Sequence, residues 1–322
     1  LDDVVLYRID AEKGEGVEHS SEFEVKGYPT FVALNNGGET FDRWIGYARD
    51  YFISTLKDAL QDESPITAKM ARFENSPNFD DALVLARYNR SLNKHADAVK
   101  YYSATQKLNQ DPDTDYRYEI FTSTVDGARK DIFTFDDAVA AADAVLASGK
   151  ADADEKYGIA RRMTSLAGKE GNSKLAAPYL KAGIEALDGS EDPDDQSDYA
   201  TLMADYSLIV TGDSAAAVDY KKKTMPDDWL EDASQLNNFA WWCFENNINL
   251  EEAEDLSRKS VKLSEPGRAK AMKLDTLAEI CNARGKTSEA VEYTRIAVKE
   301  APEDEYYKEQ LERFEDLMTV DN

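Results

Sequence analysis

The rhythm of hydrophobic and polar positions changes near residue 62. Before it, short apolar runs alternate with polar, glycine-bearing breaks. Val4, Val5, Leu6, Tyr7 and Ile9 form a largely β-branched run ended by Asp10, which predicts a strand over 4–9. A short amphipathic segment follows over 20–25. Tyr28, Pro29, Thr30, Phe31, Val32, Ala33 and Leu34 predict a strand entered through a proline, where the missing N–H does no harm. Asn35, Asn36, Gly37 and Gly38 tolerate positive φ and predict a hairpin turn. The chain then returns as a strand over 41–47 and closes as a helix over 51–60.

From residue 63 onward, apolar residues recur at spacings of three and four, with acid-Pro or glycine breaks every 15 to 20 residues, which predicts successive helices. Small residues mark where paired helices cross. The clearest unit runs Leu274, Leu277, Ala278, Gly285, Ala290, Ala297, Pro302. An earlier copy spans 233–266 with Ala240, Ala253 and Leu263, and a weaker one spans 83–112 with Leu85, Ala86, Asn93 and Ala98. This spacing resembles the TPR motif. Between 113 and 232, helices are expected over 136–148, 154–167, 173–187 and 198–210, as degenerate hairpins continuing the repeat. The polar segment 303–318 suits a solvated capping helix.

The first 62 residues resemble the C-terminal half of thioredoxin: a V-x-L-x-x-I-D strand, then V-x-G-Y-P-T-F, a Gly-Gly hairpin and a Gly-Tyr pair (Gly46, Tyr47) before the last helix. The resemblance implies that Pro29 follows a cis peptide, that the backbone at Tyr28, Pro29 and Thr30 lines a substrate site, and that a W-C-x-x-C segment lies upstream. No such segment occurs here. The chain opens on Leu1, Asp2 and Asp3, without an initiator methionine or a signal-peptide pattern, so further upstream residues are expected in the parent protein. In a thioredoxin sheet the strand between those matching 4–9 and 30–34 comes from that upstream half.

The fold class expected is therefore mostly α: a TPR-like solenoid over 63–322, clearest at 233–302, preceded by a partial α/β thioredoxin-like domain over 1–62.

Charge narrows the partners. The chain of 322 residues carries 64 acidic and 38 basic side chains, for a formal net charge of −26. Such a surface repels phosphate backbones and anionic lipid, which argues against nucleic acid. No apolar run approaches the roughly 20 residues of a membrane helix, so no membrane insertion is expected.

Candidate chemistry is sparse. Cys243 and Cys281 are the only cysteines; each falls on the first helix of a repeat and neither lies in C-x-x-C, so both are expected to be buried hydrophobes. His19 and His95, the only histidines, are expected on surface turns. Asp111, Asp113 and Asp115 begin like a calcium loop, but Tyr116 and Thr122 stand where that loop needs glycine and glutamate. Lys221, Lys222 and Lys223 suit a solvated helix end, and Trp44 suits packing; Trp241 and Trp242 offer a peptide anchor, but one of two adjacent helical residues usually faces the core, so packing is expected of them too. No catalytic residue, metal site or cofactor is expected.

The function expected is protein or peptide binding on the concave surface of the helical repeats, redox-inactive as the chain stands. One alternative is a fragment of a thiol-disulfide oxidoreductase; another is a scaffold whose thioredoxin-like part is a cap. A periplasmic or exported bacterial setting is implied by the resemblance alone.

Overall fold

The computed structural model describes residues 4–320. Among these residues the chain forms sixteen α-helices and two strands, divided into two compact units, Leu1–Tyr179 and Leu180–Asn322.

In the first unit, α1 (Gly16–Glu22) precedes a hairpin of β1 (Thr30–Leu34) and β2 (Thr40–Ile45), and α2 (Arg49–Ala59) follows. The strands pair antiparallel, with Phe31 opposite Trp44 and Ala33 opposite Asp42. The Asn35 side chain shapes the turn by accepting from the Gly37 and Glu39 amides. One face of the hairpin carries Phe31 and Trp44, whose rings stack at 5.4 Å, with Phe52 of α2 at 4.8 Å from Phe31.

The strand expected over 4–9 is absent. The sheet contains only β1 and β2, and residues 4–9 form no ladder. Val5 is 94% exposed, and Leu6 and Tyr7 are exposed with it. The β-branched side chains favour an extended backbone, but a strand also needs a neighbour for its N–H and C=O groups, and β1 is paired here only to β2.

Helices follow without further strands: α3 (Ile66–Asn75), α4 (Phe79–Ser91), α5 (His95–Leu108), α6 (Arg117–Ala128), α7 (Phe135–Ala147), α8 (Ala153–Lys169) and α9 (Ala177–Leu187), which runs across the division. Their starts are written locally. Asn78 and Asp152 accept backbone N–H bonds as N-caps, and Thr134 with Asp137 forms a capping box. Two cores form, one from Leu85, Ala86, Ala98 and Tyr101, the other from Phe121, Val125, Ala142, Ile159 and Met163.

The second unit contains α10 (Pro193–Tyr206), α11 (Ser214–Lys223), α12 (Ala233–Glu245), α13 (Leu250–Leu263), α14 (Arg268–Ala283), α15 (Thr287–Glu300) and α16 (Glu305–Val320). The expected hairpins are present as α12–α13 and α14–α15. Leu236, Ala240 and Cys243 match Leu274, Ala278 and Cys281 at an offset of 38 residues, and all six are buried.

The repeat is clearest in how helices end. The Ile248 amide donates to the Cys243 carbonyl at 3.0 Å across Asn247, whose φ is 51°. The Lys286 amide does the same to Cys281 at 2.9 Å across Gly285, with φ of 76°. This is the Schellman closure, a left-handed residue that lets the chain fold back. It recurs in the first unit: Lys94 to Asn89 across Asn93, Ile132 to Gly127 across Asp131, and Asn172 to Ala167 across Gly171. The helix α10 varies it with a π turn (Ser207–Thr211) before left-handed Gly212. Helices α3 and α6 have no separate counterpart among the segments expected from sequence, and of α11 only the end at Lys221–Lys223 was expected.

Candidate functional site

Tyr28 and Pro29 sit on the approach to β1 and are exposed, joined by a cis peptide. The Thr30 hydroxyl donates to the Gly27 carbonyl at 2.6 Å, and the Gly46 amide donates to the Pro29 carbonyl at 2.9 Å. The Pro29 carbonyl is thus already used within the hairpin, while the Tyr28 ring, 61% exposed, is presented outward. Nearby, Tyr47 packs on Phe31 and Phe52, and Trp44 is buried as expected.

On the face carrying Trp44, β2 also presents Asp42. Its carboxylate accepts from Arg87 Nη2 of α4 at 2.6 Å, and both side chains are buried. Desolvation pushes the Asp42 carboxyl up, against the pull of Arg87 and of the Arg43 amide. Sequence reading missed this pair; its one signal was an acid inside an otherwise apolar and aromatic strand.

Each cysteine occupies the packed side of a first helix. Burial pushes the Cys243 thiol up to about 12 and the Cys281 thiol up to about 11. Neither therefore supplies a thiolate near neutral pH, which thiol chemistry requires.

Cys281 lies with Glu254 and Glu289 in a cluster whose possible ligand atoms fall within 4.8 Å of one another. Glu254 is already engaged by three cations: Arg258 at 2.6 Å, Arg284 at 2.5 Å and Lys286 at 2.9 Å. Burial alone would raise its carboxyl, but hydrogen bonds from Lys286, Arg258 and Arg284 outweigh it and bring it down to about 2. Arg258 also reaches Glu289 at 2.5 Å and the Tyr293 hydroxyl. Three positive charges around one carboxylate oppose a metal ion, so the cluster acts as an ion-pair node joining α13, α14 and α15.

His95 corrects the sequence expectation. It begins α5 and is buried, packed beside Gly127, rather than lying on a surface turn. Burial and Lys130 lower its imidazole pKa. His19, in α1, makes a 3.2 Å contact with Glu22. The Asp111–Asp115 stretch is a turn before α6, with Asp111 accepting from the Asp113 amide and the Thr114 hydroxyl. Lys222 pairs with Glu252 at 2.7 Å at the end of α11. Trp241 and Trp242 are both half-buried on α12: Trp242 packs on Phe239, and Trp241 lies beside Phe244, their rings 5.1 Å apart. Among the described residues, no helix is long and apolar enough to cross a membrane.

No family model matches the sequence, and no curated relative matches it. Among solved structures, the chain is similar to one in the Cut9–Hcn1 hetero-tetramer of the APC/C, at 14% identity and a TM-score of 0.40. That match covers 77% of this chain and 45% of the other, so the chain spans less than half of that protein's length. It is also similar to YrrB, a TPR protein with an unusual peptide-binding site, at 14% identity and a TM-score of 0.34, covering 75% of this chain and 96% of YrrB.

Proposed function

We propose that this chain is a protein-interaction module: TPR-like helical hairpins that take up a protein or peptide segment, preceded by a thioredoxin-like hairpin segment without redox activity of its own. The observation that carries the reading is the repeated closure at Asn93, Asp131, Gly171, Asn247 and Gly285. A chain built from equivalent helix pairs offers successive equivalent surfaces, and such surfaces commonly host extended partners on the side formed by the first helices. On α12 the half-buried Trp241, beside Phe244, is the aromatic we take as the anchor for such a partner. The elevated thiols of Cys243 and Cys281 support the redox-inactive part.

Selection of peptides from a random display library on the full-length chain tests this. Saturable binding weakened by Trp241→Ala supports it, and the absence of any saturable binder overturns it. A second reading, in which residues 1–62 are a structural cap, is favoured by the buried Asp42–Arg87 pair, which fastens β2 to α4. The third, a fragment of a thiol-disulfide oxidoreductase, is decided by whether the parent gene carries an in-frame C-x-x-C upstream.

A further inference from the structure

Asp275 lies on α14, buried against α16. Its Oδ2 accepts from the Tyr306 hydroxyl at 3.1 Å, while its Oδ1 is buried and accepts no hydrogen bond among the described residues. The donor is a neutral phenol, and no cation among the described residues forms an ion pair with Asp275. Glu279, one turn along the same helix, is the acidic neighbour, and it holds the one nearby guanidinium, Arg313 of α16. Tyr307 of α16 also faces the carboxyl. From α12 the stretch 233–242 offers no titratable side chain. Glu254 and Arg258 of α13 pair with the node at Arg284 and Lys286, and Glu300 and Arg295 of α15 pair with Lys270 and with Glu315 of α16. At the equivalent position one hairpin earlier stands the uncharged Asn237. The acid therefore belongs to the last pair alone.

We propose that α16 is a pH-sensitive cap, seated firmly when Asp275 is protonated and loosened when that buried carboxyl ionises beside Glu279. A neutral carboxyl suits a site with one phenolic partner, whereas a carboxylate there is a buried charge without a counter-ion. Burial pushes the Asp275 carboxyl up to about 6 from 3.8, against the Tyr306 bond and the more distant charge of Arg313, and the charge of Glu279 adds to the rise. The sign follows: a carboxyl raised on docking stabilises the docked helix fully below the released value and loses that stabilisation as pH climbs through about 6. Phe314 is buried among Leu277, Cys281 and Val291, with Leu311 and Met318 beside it, so release of α16 uncovers this apolar face.

Hydrogen exchange of the α16 amides in the full chain, corrected for the intrinsic pH dependence of exchange, tests the proposal. The opening equilibrium is expected to rise about tenfold between pH 5 and pH 7 and to level off above that. Asp275→Asn is expected to abolish this dependence while keeping the helix docked. Tyr306→Phe removes a bond that favours the ionised form, so its transition moves to higher pH. It also keeps the test intact should the first variant fold poorly. Opening that is constant across pH 5–7 in the unmodified chain, or unchanged pH dependence in Asp275→Asn, overturns it.

Discussion

Asp42 and Arg87 stand 45 residues apart in sequence and 2.6 Å apart in space, the carboxylate on a β-strand and the guanidinium on the third helix after it. Neither reaches solvent to any useful extent, with side-chain exposures of 0% and 7%. Removing one member of such a pair leaves a buried charge uncompensated, which costs more than the pair contributes. Arg87→Met is expected to destabilise the first unit by about 3–5 kcal/mol in urea unfolding. The double variant Asp42→Leu with Arg87→Met should recover most of that loss. Equal destabilisation by the single and double variants would show that the ion pair is not what joins β2 to α4.

Much of this fold was legible in the sequence, and the exceptions have physical causes. The hairpin, α2 and the last two helix pairs were readable because their turn residues and small crossing residues are of the expected types. The middle was hard because its equivalence lies in backbone geometry rather than residue identity. At the small crossing position of Ala86, Ala240 and Ala278, α6 and α8 carry Thr124 and Thr164, whose hydroxyls fold back onto the carbonyls of Ile120 and Ala160. The left-handed closure there falls to Asp131 and Gly171. The strand over 4–9 failed because periodicity registers side chains, and only pairing satisfies a strand's backbone. The buried pairs at Asp42 and Glu254 were invisible because each joins segments 30 or more residues apart.

Glu254 sets an acid limit on the second unit. Its carboxyl, normally near 4.5, is held at about 2, so the stability it contributes is fully present above pH 4.5 and lost as pH falls toward 2. The corresponding amount is roughly 3 kcal/mol. Unfolding of Glu254→Gln at neutral pH should show a loss of that order, and its stability should vary less than that of the unmodified chain between pH 4.5 and pH 2. Parallel pH profiles for the two proteins would contradict the assignment.

The two thiols should behave as core atoms. A thiol reagent such as dithiobisnitrobenzoate is expected to label neither Cys243 nor Cys281 in the native protein at pH 8, and both after denaturation, because burial holds each thiol at about 11 or above. Rapid native labelling of either would place that cysteine outside the packed face described for it.

Gly127 is predicted to resist replacement although it lies within α6. A Cβ there would stand 2.5 Å from Phe133 and 3.2 Å from the His95 Cβ. Helix propensity favours alanine by about 1 kcal/mol, and the clash opposes it by about 1–3 kcal/mol. Gly127→Ala should therefore lower the melting temperature of the first unit, and a rise would mean that Phe133 moves aside at little cost.

The proposal that the helical repeats take up a protein segment is tested most directly by mapping where one binds. Amide exchange across the full chain should be compared with and without a peptide obtained by display selection. Protection is expected to gather on α12 and α14, the first helices of the two clearest hairpins, and Trp241→Ala should weaken affinity at least about tenfold, in keeping with a central aromatic anchor. Protection confined to residues 4–62, together with unchanged affinity in Trp241→Ala, would contradict the proposal and assign binding to the hairpin around Tyr28 and Pro29.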